Sequence, residues 1–295
     1  MFDRIFANYL ADQQILDRSD LDKIFEIQEQ KRVRLGVIAI SEGLMTNEQV
    51  EEVNLLQSTS DKRFGDIAVE KGYLTDSQVT RLLALQGNRF LTFIQAVVDY
   101  GTISMPDVIE ALNKFQRHNS YTLTDIDNLK SCDIDRIMPI YVYELPDYAK
   151  ELSGVALRTI SRRVDYHVYI DKTYTCDKLI VDNLCMQESK GDHNILLAIS
   201  GSEDALMTMA VCFAGPKYIE ELEDAQDTAC EIINNINGVF ATELSRRNIN
   251  IDMLPPYYKA GSSVINSEEI INIPFYVKDK ELTLSIILSD NYTTE

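Results

Sequence analysis

The chain has 295 residues, about twice the roughly 150 of a typical domain, so two domains are expected, each long enough to bury a core. Its 28 Lys and Arg against 47 Asp and Glu give a net charge of −19, a field that opposes nucleic acid and anionic membrane surfaces alike. No apolar stretch approaches the roughly 18 residues of a membrane span, and the opening Met-Phe-Asp-Arg lacks the order of a signal peptide, so a cytoplasmic protein is expected.

The negative charge is uneven: residues 1–130 carry −6 and residues 131–295 carry −13, so an anion site fits better in the first part. Cys132, Cys176, Cys185, Cys212 and Cys230 are scattered without a Cys-x-x-Cys pair and read as reduced, mostly core thiols. His118, His167 and His193 have no second His or Cys within four residues, so no local metal site is expected. Neither Gly-x-x-x-x-Gly-Lys nor Gly-x-Ser-x-Gly occurs, which leaves nucleotide hydrolysis and serine chemistry unsupported.

From the N-terminus, the first pattern is a 29-residue repeat. Arg34-Leu35-Gly36 recurs as Arg63-Phe64-Gly65, and Ala39/Ala68, Gly43/Gly72, Thr46/Thr75, Gln49/Gln78 and Gln57/Gln86 keep the same step. Weaker copies on either side give four units over residues 1–118. Each central unit has an apolar stretch, a Gly that ends a helix, then Thr46 or Thr75 as N-cap of an amphipathic helix, which predicts an all-α domain of helical hairpins.

Residues 30–90 resemble the N-terminal domain of type II secretion and type IV pilus ATPases, the MshE (GspE) N-terminal domain. The binding form of that family has two 24-residue motifs that begin Arg-Leu-Gly, end in Gln and stand five residues apart. Arg34–Gln57, the spacer Ser58–Lys62, and Arg63–Gln86 reproduce these lengths. The resemblance implies a cyclic di-GMP site at Arg34, Leu35, Gly36, Gln57, Arg63, Gly65 and Gln86. Arginines pair with phosphate or guanine edges, and glycines let backbone NH groups approach an anion. Ala39, Ala68, Asn54 and Phe64 depart from the family's aliphatic pattern. The competing reading is a repeat scaffold that binds only protein.

Residues 119–135 gather Ser, Thr, Asn and Asp and are expected to be a linker, followed by a second domain over 136–295. There, Tyr166–Ile170, Asn194–Ser200, Ile249–Met253, Ile271–Val277 and Leu282–Leu288 read as strands. Helices are expected near Tyr148–Arg162, Glu203–Phe213 and Tyr218–Arg247, the last opened by Glu220-Glu221-Leu222-Glu223-Asp224 at its positive end. Together they predict an α+β fold, an α/β sandwich.

On the last helix, Ile232, Ile233, Ile236, Val239 and Phe240 form an apolar stripe, expected to face the sheet. Asp227, Glu231, Asn234, Asn235 and Gly238 share the opposite sector. Two Asn and a Gly are poor helix formers, Gly costing about 1 kcal/mol relative to Ala, so something other than helix stability selects them.

Asp227-x-x-x-Glu231-x-x-Asn234, with Gly238 and a later proline, Pro255 or Pro256, resembles the active helix of the CheC/CheX/FliY chemotaxis phosphatases, CheX most of all, over about residues 140–290. The resemblance implies hydrolysis of the aspartyl phosphate of a CheY-like response regulator in chemotaxis or motility signalling. The receiver would bring its own Mg²⁺ and lysine, so this chain needs no cofactor for the reaction. Asn234 would hold the attacking water, Glu231 would pair with the receiver lysine, and Gly238 would leave room for the receiver; Asp227 has no assigned chemistry. The earlier helix reads Glu151-Leu-Ser-Gly154, so a single site is expected. CheX relatives pair through a sheet edge, which implies a homodimer through Ile271–Val277 and Leu282–Leu288. The alternative is a non-enzymatic adaptor that docks a receiver or a pilus-type or secretion-type partner.

Overall fold

The computed structural model describes residues 1–30, 32–58, 62–142 and 144–295. It divides into two compact units, Phe2–Asp133 and Ile134–Glu295. The first is helical and the second combines helices with an antiparallel sheet.

The first unit contains α1 (Phe2–Asp12), α2 (Leu21–Gln30), α3 (Leu35–Ser41), α4 (Asn47–Ser58), α5 (Phe64–Glu70), α6 (Asp76–Ala84), α7 (Arg89–Tyr100), α8 (Met105–His118) and α9 (Leu123–Lys130). Within each of the first four helix pairs the chain reverses at a left-handed residue: Gln14, Gly43, Gly72 and Gly101, with φ of 57°, 66°, 72° and 87°. Three of the four are glycine, for which this conformation carries no Cβ penalty. Three residues later a small oxygen-bearing side chain follows in every case. Asp17 accepts from Ser19 N, Thr46 from Gln49 N, Thr75 from Gln78 N and Ser104 from Asp107 N. Reversal and cap thus repeat together, three residues apart, at each hairpin.

Two buried clusters hold the unit. Ile38, Ala39, Val53, Ile67, Ala68 and Leu82 join the two central hairpins, so Ala39 and Ala68 are core residues. Phe2, Phe6, Phe90 and Phe115 join α1, α7 and α8, with the rings of α1 4.7–5.8 Å by centroid from those of the other two helices, a spacing typical of attractive aromatic pairs. The stretch expected as a linker is folded. Thr122 and Asp125 form the capping box of α9, Ile126 and Leu129 are buried, and Asn88 Nδ2 donates to Lys130 O at 2.8 Å. Its polar composition reflects a helix start and not a tether. Of the spacer Ser58–Lys62, positions 59–61 lie outside the described residues.

The second unit begins with α10 (Ile134–Val142) and α11 (Asp147–Arg163). It continues with β1 (Tyr169–Ile170), β2 (Tyr174–Gly191), β3 (Ile195–Gly201), α12 (Glu203–Ala214), α13 (Leu222–Ser245), β4 (Ile251–Met253), β5 (Tyr257–Val277), β6 (Lys280–Ile287) and β7 (Tyr292–Thr294). The strand order is β1-β5-β6-β3-β2-β4, with β7 on β5 and a further β2–β5 pairing, all antiparallel.

Register fixes which side chains share a face. Cys185, paired with Ile199, which is paired with Leu284, points toward α13, where its Sγ lies 3.7 Å from Gln226 O. The neighbouring residues Leu184, Met186, Leu196 and Ala198 point the other way, into a second cluster with Leu179, Ile265 and Ile270. Both faces of β3 are therefore covered, and Ile195–Ser200 is buried throughout.

Two expectations are corrected here. Ile271–Val277 and Leu282–Leu288 do not offer a free sheet edge for a homodimer, because β6 is paired on both sides by β5 and β3, and Ile271 is paired to both Ile286 and Thr175. Along α13, Ile232, Ile233, Ile236 and Phe240 are buried, but Val239, at the margin of the stripe beside Asn235, is 46% exposed.

Candidate functional site

The site is built on α13. Its first turn carries Glu223 and Asp224, and Asp224 accepts from the backbone NH groups of Glu220 and Glu221 at 2.9 and 3.1 Å, which ties down the helix's positive end and holds the Asp224 carboxyl below its ordinary range. With the apolar stripe seated on the sheet, the opposite sector faces outward. Asp227, Glu231 and Asn234 are exposed, and Asn235 and Gly238 are half-buried.

Asp227, Cys230, Glu231 and Asn234 line one side of an open cleft whose other side is Pro256, Tyr257 and Tyr258, at the start of β5. Pro256, and not Pro255, is thus the proline that lines it. Asn234 also lines an adjoining hollow with Asn235, Gly238, Val239, Thr242 and Met253, so its side chain stands where the two depressions meet. Val239, Met253, Leu254 and Tyr257 around this point are each 38–46% exposed. A Cβ at Gly238 would come no nearer than 3.9 Å to Met253 Cε; packing within this chain does not require a glycine there.

Two features of the helix were not legible beforehand. Asn235 is an internal brace: its Oδ1 accepts from Arg163 Nη1 of α11 at 2.6 Å and its Nδ2 donates to Glu231 O at 2.9 Å. Beneath Asn234 lies Gln187 of β2, 1% exposed. Gln187 Nε2 donates to Asn234 Oδ1 and to Leu254 O, both at 2.8 Å, and Gln187 Oε1 accepts from Asn237 Nδ2 at 2.8 Å. The only advance signal for Gln187 is a polar residue inside a run of buried strand positions. On the earlier helix, Glu151 is paired with Arg247, whose Nη1 and Nη2 reach it at 3.0 and 2.5 Å.

Cys185 and Cys230 form a buried pair between β2 and α13. The hydrogen bond to Cys230, and then burial, push the Cys185 thiol well above the ordinary thiol range. A raised pKa lowers the thiolate fraction at neutral pH, so iodoacetamide is expected to spare Cys185 in the native protein and label it only after unfolding. Labelling of native Cys185 at the rate of a free thiol, read by peptide mass mapping, would contradict this.

In the first unit, Arg34, Leu35, Gly36, Gln57, Arg63, Gly65 and Gln86 all line one cavity of about 460 Å³, with Val37, Asn54 and Phe64 among its other walls. Gln57 and Gln86 donate to Lys62 O and Val33 O, both at 3.3 Å, and Arg34 lies 3.4 Å from Asp99. The two glycines have a packing role. A Cβ at Gly36 would sit 2.6 Å from Val50 Cγ1, and one at Gly65 2.8 Å from Val79 Cγ1, so each lets its helix approach the one that follows.

Among the described residues no helix is long and apolar enough to cross a membrane, and no group of three or more His, Cys, Asp or Glu is placed to hold a metal ion. No curated protein matches the sequence. Similar solved structures include CheX from Desulfovibrio desulfuricans, 17% identical, covering 49% of this chain and 100% of that one with a TM-score of 0.44. CheX from Vibrio vulnificus is 15% identical, covering 50% and 100%, TM-score 0.41. A CheX-CheY-BeF3-Mg complex from Borrelia burgdorferi is 16% identical, covering 48% and 97%, TM-score 0.38. The part of the chain that holds Gln187, all of α13 and the Pro256 wall of the cleft is CheX-like: residues 184–276 match the family model described as chemotaxis phosphatase CheX.

Proposed function

We propose that the second unit hydrolyses the aspartyl phosphate of a CheY-like response regulator in chemotaxis or motility signalling. The observation that carries this reading is the pairing, on one exposed helix face, of an exposed carboxylate at Glu231 with a carboxamide at Asn234 fixed from below, within the segment that matches the phosphatase family.

The chemistry asks little of this chain. In the receiver, an acyl phosphate, Mg²⁺ and a lysine are already assembled; a water oxygen attacks phosphorus in line, the bond from phosphorus to the aspartyl oxygen breaks, and carboxylate and inorganic phosphate result. Placing that water is the step a second protein can accelerate, by lowering the entropy of reaching the attack geometry. Asn234, standing where the two depressions meet, orients the water. Glu231 pairs with the receiver lysine. The exposed Val239, Met253, Leu254 and Tyr257 supply apolar contact around the polar centre, and Gly238, unconstrained by its own chain, leaves the partner room.

The test is decay of a phosphorylated receiver with and without the full chain at fixed Mg²⁺. Acceleration is expected. Glu231→Ala is expected to raise KM about tenfold, the loss of an interfacial charge pair worth about 1–2 kcal/mol, with a smaller change in kcat. Several receivers left unaccelerated would favour the non-catalytic adaptor.

The cavity of the first unit supports a second element of the reading: with two arginines, two glutamines and the Phe64 ring on its walls, it takes up cyclic di-GMP and regulates the phosphatase. Equal receiver decay with and without saturating nucleotide would remove that element.

A further inference from the structure

We propose that Gln187 is a positioning residue that holds Asn234 with its amide nitrogen, and not its oxygen, facing the incoming substrate. The inference rests on the phosphatase reading for its consequence, but its geometric part stands on three hydrogen bonds.

The orientation follows from one partner that has no choice. Leu254 O is a backbone carbonyl and can only accept, so the Gln187 atom 2.8 Å from it is the donor nitrogen. That same nitrogen faces the Asn234 side chain at 2.8 Å, and its two hydrogens serve these two acceptors, so the Asn234 atom it meets is Oδ1. The other end of Gln187 is then its oxygen, which accepts from Asn237 Nδ2 at 2.8 Å. One fixed acceptor therefore sets all three amide groups.

The consequences are chemical. Asn234 Oδ1 is occupied from below, and among the described residues its Nδ2 makes no hydrogen bond, so the site presents two N–H donors. A donor grips water through its oxygen, leaving the remaining lone pair for phosphorus, or grips a phosphoryl oxygen as charge shifts onto it. An acceptor at the same place would hold the water by a hydrogen instead and would repel the anionic phosphoryl group. Gln187 also clamps the strand end that precedes Pro255-Pro256, since Leu254 N donates to Glu188 O at 2.9 Å while Leu254 O is held by Gln187. Both walls of the cleft are thus referred to one buried side chain of β2.

Gln187→Glu keeps size and shape but replaces the donor by a carboxylate, which favours turning Asn234 so that its oxygen faces out. With the full chain and a phosphorylated receiver at pH 8, kcat is expected to fall roughly 10- to 100-fold with KM within about twofold. As pH is lowered, protonation of the buried Glu restores one donor, so the ratio of wild-type to variant kcat shrinks. A ratio that stays flat with pH, or a loss confined to KM, overturns the role in positioning. Side-chain amide exchange in the 15N-labelled full chain reads the orientation without any activity. The Gln187 Nε2 hydrogens are expected to be protected and those of Asn234 Nδ2 to exchange freely. The reverse pattern overturns the proposal even if the variant fails to fold. If wild-type protein accelerates no receiver, the phosphatase reading falls, while the exchange pattern still decides the orientation.

Discussion

Replacing Asn234 by alanine is expected to reduce the accelerated decay of a phosphorylated receiver about 100-fold, the scale of loss when a reacting group is no longer held in position, and to leave receiver affinity within about twofold. Asn234 is exposed, and its removal leaves Gln187 Nε2 still bonded to Leu254 O. The Gln187 hydrogen that loses Asn234 Oδ1 then faces the open cleft, where water can replace the acceptor, and no core cavity is created, so the fold should survive, with circular dichroism unchanged and the unfolding midpoint close to that of wild type. Asn234→Asp should be almost as inactive. One carboxylate oxygen accepts from Gln187 as before, but the other presents negative charge to a phosphoryl group. Asn234→Gln displaces the amide by one methylene and should retain only a small part of the rate. An alanine variant that keeps half of the acceleration would show that Asn234 does not place the water and would shift the chemistry to Glu231 or to the receiver alone. The measurement separates this effect from docking because Glu231→Ala is expected to act mainly on KM, through the lysine it would pair with.

The helical features were the most legible in the sequence, because their signals are local. Thr46, Thr75 and Ser104 announce helix starts through bonds that span three residues, and Gly43, Gly72 and Gly101 announce reversals through their own φ. The same locality misled at residues 119–135, where a cap and a tether share a composition and only the burial of Ile126 and Leu129 tells them apart. Strands depend on distant partners. β2 escapes a reading by pattern because residues 174–178 are exposed or half-buried and 184–187 are buried on both faces, so alternation of period two is confined to 179–183. The first half of β5 is hidden in a related way, since Tyr257–Ile265 finds its order by pairing to 179–186 of β2. At the site, Glu231 and Asn234 could be read from helical spacing. Gln187 could not, because its meaning lies in bonds to residues 47, 50 and 67 positions away. Gly36 and Gly65 could be found but not interpreted: a glycine that admits a ligand and one that admits a neighbouring helix look alike in a sequence.

That ambiguity has a measurable resolution. Gly36→Ala and Gly65→Ala are each expected to destabilise the helical unit by about 1–3 kcal/mol, the usual cost of overpacking a well-filled contact. The new Cβ atoms would meet Val50 Cγ1 at 2.6 Å and Val79 Cγ1 at 2.8 Å. Both valines are branched at Cβ and stiff in a helix, and they sit in or against the cluster formed by Ile38, Val53, Ile67 and Leu82, so they have little room to turn away. Better helix propensity recovers at most about 1 kcal/mol, and less in the first turn, where both glycines lie. Trimming the neighbour should relieve the conflict. The double variant Gly65→Ala/Val79→Ala is expected to be more stable than the sum of its single changes by about 1 kcal/mol in a denaturant cycle, a coupling expected only between groups in contact. If both alanine variants unfold at the wild-type midpoint, or the cycle is additive, the helices do not need the glycines for their approach. The Arg34-Leu35-Gly36 and Arg63-Phe64-Gly65 turns would then have to be explained by what enters the cavity they line.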